Sequence, residues 1–126
     1  MGLLEHIISY LVERGLCLGD GEDCFRDFMP ESPDNVIVLH EYAGDTLNPF
    51  TTNVHRSVQV KVRNKDAEAA RALAVKICRA FIDTSEDRKI VFSDTDTTLW
   101  GQFYVRQTPF KLSQDESSRI TYCFNL

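Results

Sequence analysis

The sequence lacks several features that would point to a particular class of function. No apolar run approaches the ~20 residues that a membrane-spanning helix needs, so a membrane-spanning protein is excluded. Its 14 basic residues are outnumbered by 19 acidic ones, giving a net charge of −5. This balance argues against a protein that binds nucleic acid through a basic surface. Met1–Tyr10 lack a basic segment and a small-residue cleavage site, so we expect no secretory signal there.

Motifs for catalysis are equally scarce. The three histidines are scattered, and there is neither a phosphate-binding Gly-rich loop nor a Gly-x-Ser-x-Gly elbow. His40 alternates with Val38 and Tyr42, a pattern typical of a packed or solvated side chain in a strand. The acidic segments Gly19–Asp23 and Ser93–Thr98 lack the ligand spacing of a calcium loop and are interpreted as solvated turns. We therefore predict no catalytic, cofactor-binding or metal-binding residues and no enzymatic activity.

The four cysteines form no recognisable metal or disulfide pattern. Cys17 and Cys24 are farther apart than the two to four residues at which structural zinc sites usually begin. Cys78 lies in a helical pattern and Cys123 in a strand pattern, where a free cysteine packs as a small hydrophobic residue. We expect four reduced, structural thiols.

Two helices and several strands are predicted from hydrophobic periodicity. Apolar residues recur at helical spacing from Leu3 to Val12, and Gly15 is the natural stop. The Ala-rich segment Ala67–Ile82 is the second helix, capped by Asn64 or Asp66.

The clearest strands are predicted at Val36–Tyr42, Ser57–Arg63 and Ile120–Leu126. In Ser57–Arg63, valines on one side alternate with polar residues on the other, namely Gln59, Lys61 and Arg63. The apolar residues of the last strand alternate with Arg119, Thr121, Cys123 and Asn125. Weaker patterns predict strands at Cys24–Met29, Ile90–Phe92 and Phe103–Arg106, with Pro109 marking an edge or bulge and Ser113–Ser118 a polar turn. The order of these elements predicts a single α+β domain, residues 1–126, in which two helices pack on one face of a mainly antiparallel sheet.

Apolar residues in two connecting segments are candidates for an interface. Leu47, Asn48, Pro49 and Phe50 lie in one long loop, and Trp100 follows another. Such residues either close the ends of the core or contact another protein, because aromatic side chains are enriched at protein interfaces.

The segment from Phe28 to Gly44, with its Pro-x-Ser-Pro-Asp-Asn turn at Pro30–Asn35, resembles a known family. It is similar to the minor capsid or tail-terminator proteins of long-tailed bacteriophages, in which a short helix precedes this turn and an apolar strand. The resemblance continues through the strand–helix pair at residues 58–82. It extends to the Phe-x5-Pro-Phe segment at Phe103–Phe110 and the Asp115-Glu116 turn.

This resemblance implies a structural protein of the virion, located at the head–tail junction and assembled in the host cytoplasm. Such proteins form a ring, usually a hexamer, that caps the tail tube and joins it to the head connector. The implied partners are further copies of the chain, the major tail tube protein and the connector proteins, while DNA passes through without specific binding. We predict that the loop Gly44–His55 carries subunit or tail contacts, because it is long and apolar.

Two other classes of function stay open at this point. One is a small metal-dependent hydrolase or nuclease that uses Asp20, Asp23, Asp94 and Asp96. The other is a peptide-binding module that adds a strand to the edge of its sheet.

Overall fold

The computed structural model describes residues 3–42, 57–82, 89–93, 98–102, 105 and 107–126; for 89–93 and 98–102 it describes the backbone. The helices in these ranges are α1 (Leu3–Glu13) and α2 (Ala67–Ile82). The strands are β1 (Cys24–Arg26), β2 (Val36–Tyr42), β3 (Ser57–Asn64), β4 (Lys89–Ser93), β5 (Thr98–Gln102), β6 (Phe110–Gln114) and β7 (Ile120–Asn125). Neither of these two helices is long and apolar enough to span a membrane.

Five strands form the main sheet, in the order β1-β2-β3-β7-β6. β1 pairs parallel with β2, whereas the other three pairings are antiparallel. β4 and β5 form a separate antiparallel pair. The prediction of an α+β fold with a mainly antiparallel sheet is confirmed.

One surface of the main sheet, here called the helix face, packs against both helices. Val60 of β3 lies between Leu39 of β2 and Phe124 of β7 in the register, and all three side chains are fully buried. Because side chains alternate across a strand, this register places the apolar residues of three strands on the same surface. They share one hydrophobic cluster with the buried stripes of α1 and α2.

Local sequence signals determine where the helices start and stop. The Asp66 carboxylate accepts the Glu68 N–H at 3.0 Å, and the Asp66 carbonyl accepts the Ala70 N–H, so Asp66 is the N-cap of α2. Asn64 accepts the Asp66 N–H one step earlier. After α1, Gly15 adopts a positive φ of 71°, which favours glycine and ends the helix as predicted.

The opposite face of the sheet is also largely buried, which the alternating pattern of β3 did not predict. Val38, Ser57 and Cys123 are inaccessible to solvent, and Arg63, expected on a polar surface, is 4% exposed. The interior therefore extends to both sides of the central strands.

The C-terminal half differs most from the prediction. The strand predicted at Phe103–Arg106 is wrong at Val105, which lies outside any strand, while residues 103, 104 and 106 lie outside the described residues. β5 and β6 were not predicted: Thr98 begins one strand, and Ser113 and Gln114 belong to the other rather than to a turn. The polar turn is confined to the residues after Gln114.

Candidate functional site

The proline turn, Pro30–Asn35, lies where β2 begins and is held by a buried arginine of β3. The Arg63 Nε donates to the Asp34 carbonyl at 3.1 Å, and its Nη2 donates to the Pro33 and Glu31 carbonyls at 2.7 and 3.4 Å. A turn has few internal partners for its carbonyls, so a guanidinium with several donors can satisfy several of them together. Arg63 thereby fixes the shape of the turn against the opposite face of the sheet.

A second arginine, at the start of β7, binds the same turn. Arg119 Nη1 donates to the Glu31 carbonyl and lies 3.5 Å from the Asp34 carboxylate. Its Nε donates to the Asp115 carboxylate at 2.7 Å, and the Arg119 side chain is 7% exposed. Lys65 adds an exposed ion pair to Asp34 at 3.2 Å. The turn is thus fastened to the ends of two neighbouring strands.

The environment of the turn shifts the pKa values of Arg63 and of Asp115, a partner of Arg119. Burial, and the nearby positive charge of Arg119, lower the pKa of the Arg63 guanidinium. The backbone N–H of Arg119, followed by its guanidinium, lowers the pKa of the Asp115 carboxyl. These contacts stabilise the shape of the turn.

The two edges of the main sheet differ in how they are protected. At β1 the Cys24 carbonyl accepts the Gly21 N–H at 2.8 Å, and Arg26 forms ion pairs with Glu5 and Asp20 at 2.9 and 3.1 Å. Local contacts therefore occupy part of this short edge.

The β6 edge is exposed along its whole length, including the large apolar residues Phe110 and Leu112. Within the described residues no strand pairs on its outer side. Lys111 and a register irregularity between Lys111 and Ser113 are the devices that discourage unspecific pairing here. Within the described residues, the sheet therefore has one edge partly occupied by local contacts and one edge without a partner strand.

The interface residues proposed from the sequence are placed only in part. Leu47, Asn48, Pro49 and Phe50 lie outside the described residues. Trp100 lies in β5, where its backbone is paired with Val91 of β4.

The acidic residues considered for metal chemistry are already engaged or lie outside the described ranges. Asp20 pairs with Arg26, and the Asp23 carboxylate accepts the N–H groups of Leu18 and Gly19. Asp94 and Asp96 lie outside the described residues. Across the described part of the chain, no three potential metal-ligating side chains come together.

All four cysteines are free and buried, and two of them meet. A hydrogen bond between the Cys17 and Cys24 thiols lowers the pKa of Cys17 and, with burial, raises that of Cys24. Their spacing in the sequence did not reveal this contact, because the chain turns back on itself between them.

His40, expected to be packed or solvated, lies in β2 opposite Gln59. Its Nε2 is buried without a hydrogen-bond partner in the described part of the chain. Burial, and to a lesser extent the charge of Lys61, lower the pKa of this imidazole. The buried position of Nε2 favours a packed side chain over a solvated one.

A comparison with protein families decides what kind of protein carries these features. A family model described as bacteriophage tail terminator protein matches residues 10–126. The chain belongs to the bacteriophage tail terminator family. No curated protein matches the sequence.

Membership of the tail terminator family establishes a structural role in the phage tail. It implies a component of the virion that contacts other tail or head proteins, and it indicates a structural rather than an enzymatic part in the phage. The predicted resemblance to tail terminators is confirmed over nearly the whole chain.

Sequence reasoning missed the residues that shape this terminator's turn. The sequence pattern indicates Arg63 only as a polar residue of β3, and Arg119 only as one of the residues that alternate with the apolar residues of the last strand. The available signal was the turn itself, since several consecutive carbonyls without strand partners need donors from elsewhere. Which arginines supply them depends on the β3–β7 pairing, which brings the end of β3 beside the start of β7.

Proposed function

We propose that copies of this chain assemble into a closed ring, a hexamer, that caps the tail tube and then joins it to the head connector. The single observation that carries this proposal is the family match over residues 10–126. Stopping the growth of a tube and presenting a second surface to the head requires complementary shapes rather than a reaction. The well-packed two-helix, five-stranded body suits that requirement.

The unlike edges of the sheet support a ring over a two-fold dimer. In a heterologous contact each subunit uses a different surface on either side, and repetition of that contact closes a ring when the rotation allows it. The β1 edge carries ion pairs and an acidic loop, whereas the β6 edge exposes Phe110 and Leu112 beside one lysine. Surfaces that differ in this way fit a head-to-tail arrangement.

The proposed place of the ring is the head–tail junction of the virion, after assembly in the host cytoplasm. Its partners there are the major tail tube protein on one side and the connector proteins on the other. DNA passes through the ring without specific binding. The net charge of −5 suits such a passage, because Lys and Arg provide most of the salt-dependent affinity for DNA.

Within this assembly we assign contacts between subunits, or with the tail, to the loop Gly44–His55 and to Trp100. The loop holds Leu47, Asn48, Pro49 and Phe50, an unusually apolar set for a long connection. Aromatic residues in such positions commonly contribute much of the binding energy of an interface.

The experiment is Phe50→Asp, which places a charge in the proposed contact. We expect the variant to remain folded but to lose ring formation, because burying an unpaired carboxylate in an interface is costly. Multi-angle light scattering at several concentrations, with electron microscopy in the presence of tail tubes, measures assembly. Circular dichroism checks the fold.

Ala72→Asp is the control, since Ala72 is an exposed residue of α2 outside the proposed contacts and gains the same charge. It should assemble like the wild type. If Phe50→Asp assembled as well as this control, the contact would have to lie elsewhere. A wild-type protein that neither forms rings nor binds tail tubes would contradict the proposed function itself.

A further inference from the structure

Two of the buried cysteines lie side by side in the connection between α1 and β1. Cys17 follows the end of the helix and Cys24 begins the strand, and both belong to the hydrophobic cluster of the helix face. Their thiols form a hydrogen bond, which places the two sulfur atoms in direct contact. Such a contact is what a disulfide requires, because the geometry of the bond tolerates little separation of the two residues.

Hydrogen bonds beside each cysteine hold the two together. The Leu18 N–H, next to Cys17, donates to both oxygens of the Asp23 carboxylate, next to Cys24, at 2.9 and 3.1 Å. The Gly21 N–H donates to the Cys24 carbonyl at 2.8 Å, so the chain reverses direction between the two thiols. The contact between the sulfur atoms is therefore fixed by the shape of the connection and not by the two side chains alone.

Both ends of this segment are attached to the rest of the protein. The Leu16 N–H donates to the Leu11 carbonyl at 2.9 Å, which joins the start of the segment to α1. At the other end, Cys24 pairs with Ile37 in the register of β1 and β2. The two thiols therefore meet in a position that is supported from both sides.

The two thiols differ in how readily they ionise. The hydrogen bond from Cys24 lowers the pKa of the Cys17 thiol, although burial and the charge of Asp23 act in the opposite direction. The same hydrogen bond, followed by burial, raises the pKa of Cys24. Since the thiolate is the reactive form of cysteine, Cys17 is the member of the pair that attacks an oxidant first.

Cys17 is also the thiol nearer to solvent. It keeps 8% of its surface exposed and precedes Leu18, which is 75% exposed, whereas Cys24 is inaccessible. A small oxidant can therefore reach Cys17 from the side of the loop. Burial raises the pKa of Cys78 and of Cys123, which keeps both in the unreactive thiol form.

We propose that Cys17 and Cys24 form an oxidisable pair, which a peroxide converts into an intramolecular disulfide that fastens the end of α1 to the start of β1. Thiols stay reduced in the cytosol, whereas disulfides persist in oxidising surroundings. A component of the virion passes from the first setting to the second when the particle is released. The chemistry of the pair does not depend on the proposed ring.

The reaction with hydrogen peroxide has two steps. The Cys17 thiolate attacks one peroxide oxygen and the O–O bond breaks, which leaves a sulfenic acid on Cys17 and hydroxide that takes up a proton to become water. The Cys24 sulfur then attacks the Cys17 sulfur, the S–O bond breaks, and the Cys24 proton leaves in a second water. In sum, two thiols give two electrons to one peroxide and become one disulfide.

The test treats the purified, reduced chain with hydrogen peroxide under native conditions. The remaining thiols are alkylated in denaturant, and the protein is digested with trypsin. The tryptic peptide Gly15–Arg26 contains Cys17 and Cys24 but no other cysteine. We expect this peptide to carry no alkyl group and to have lost two hydrogen atoms, whereas Cys78 and Cys123 are alkylated. Dithiothreitol should reverse the change.

Three alanine variants identify the reacting thiols. Cys17→Ala removes the first thiol of the pair and should slow the loss of thiols at least about tenfold. Cys123→Ala is the matched control, because it removes a fully buried thiol on the opposite face and should change the rate less than about twofold. In Cys24→Ala the reaction should stop at a Cys17 sulfenic acid, which dimedone traps. Circular dichroism checks the fold of each variant, and peptide mapping of the wild type needs none of them.

Oxidation should also raise the unfolding temperature of the wild type by about 5 °C or more, because the new bond restricts the unfolded chain over residues 17–24. Cys17→Ala should show no such rise after the same treatment. An unchanged or lower temperature would mean that the bond does not fasten the connection. A disulfide that includes Cys78 or Cys123, a bond between two chains, a Cys17 sulfinic acid in place of the disulfide, or retention of all four thiols would refute the pair. None of these readouts depends on ring formation.

Discussion

On the helix face of the sheet, apolar side chains of β2, β3 and β7 pack against two helices, whereas on the opposite face Arg63 and Arg119 bind the proline turn. The first surface is stabilised by removing hydrocarbon from water, which is non-directional and insensitive to charge. The second depends on directed hydrogen bonds from buried cations, whose strength depends on geometry and on the ionisation of their partners. One sheet therefore combines a side stabilised by apolar packing with a side stabilised by directed hydrogen bonds.

The largest loss of stability is expected from removing a buried side chain from the helix face. Phe124→Ala removes a fully buried ring from β7, and we expect it to lower the free energy of unfolding by about 3–5 kcal/mol through lost burial and a residual cavity. Urea denaturation at a fixed protein concentration measures the change.

Phe110→Ala on the neighbouring strand is the control, because its ring is partly exposed; it should cost less than about 1.5 kcal/mol. Similar losses for both variants would mean that the helix face is less tightly packed than its burial indicates.

A smaller loss is expected on the opposite face from Arg63→Met. This change keeps much of the apolar length but leaves the carbonyls of Glu31, Pro33 and Asp34 without their buried donor. We expect the free energy of unfolding to fall by about 2–3 kcal/mol, and urea denaturation is again the measurement.

Arg71→Met removes an exposed arginine from α2 and should change stability by less than about 0.5 kcal/mol. If Arg63→Met were equally harmless, the turn would not depend on its arginine, and the contrast between the two faces would fail.

The smallest change in stability is expected from Asp115→Asn. Unlike the apolar packing of the helix face, the contact between Asp115 and Arg119 should stabilise the fold in a pH-dependent way. Arg119 lowers the pKa of the Asp115 carboxyl below its usual 3.8, so ionised Asp115 stabilises the folded state above that pH. This stabilisation is lost as the pH falls through the lowered pKa. The wild type should therefore unfold at a higher temperature than the variant at pH 7, and the difference should shrink below about pH 3.8.

Glu116→Gln, which neutralises the adjacent exposed carboxylate, is the control for a general charge effect. Thermal melts from pH 7 to pH 2.5 compare the three proteins. A difference between wild type and Asp115→Asn that persisted unchanged at pH 2.5 would show that charge at this position is irrelevant.

The same contrast explains how far the sequence alone could predict the fold. Ser57–Asn64 and Ala67–Ile82 have strong periodicities, because a surface that faces an apolar layer must repeat its hydrophobic residues at the period of the element. β6 lacks such a pattern, since all its residues are exposed, and it is a strand because β7 offers it hydrogen-bond partners.

The candidate contacts were predictable only in outline. Composition and the apolar loop led to Leu47–Phe50 and Trp100, which remain predictions. The depression lined by Arg14 and Arg79 could not be predicted, because these two residues come together only when the ends of α1 and α2 pack through Tyr10. Local periodicity carries no information about that packing.

The contact between Arg119 and the Glu31 carbonyl joins residues that are 88 positions apart in the chain. During translation the proline turn and Arg63 leave the ribosome well before Arg119 is made. The turn therefore lacks its second arginine until synthesis has passed Arg119, 88 positions after Glu31. A product terminated before Arg119 would carry the turn without this contact, so the contact distinguishes chains that include the start of β7 from those that do not.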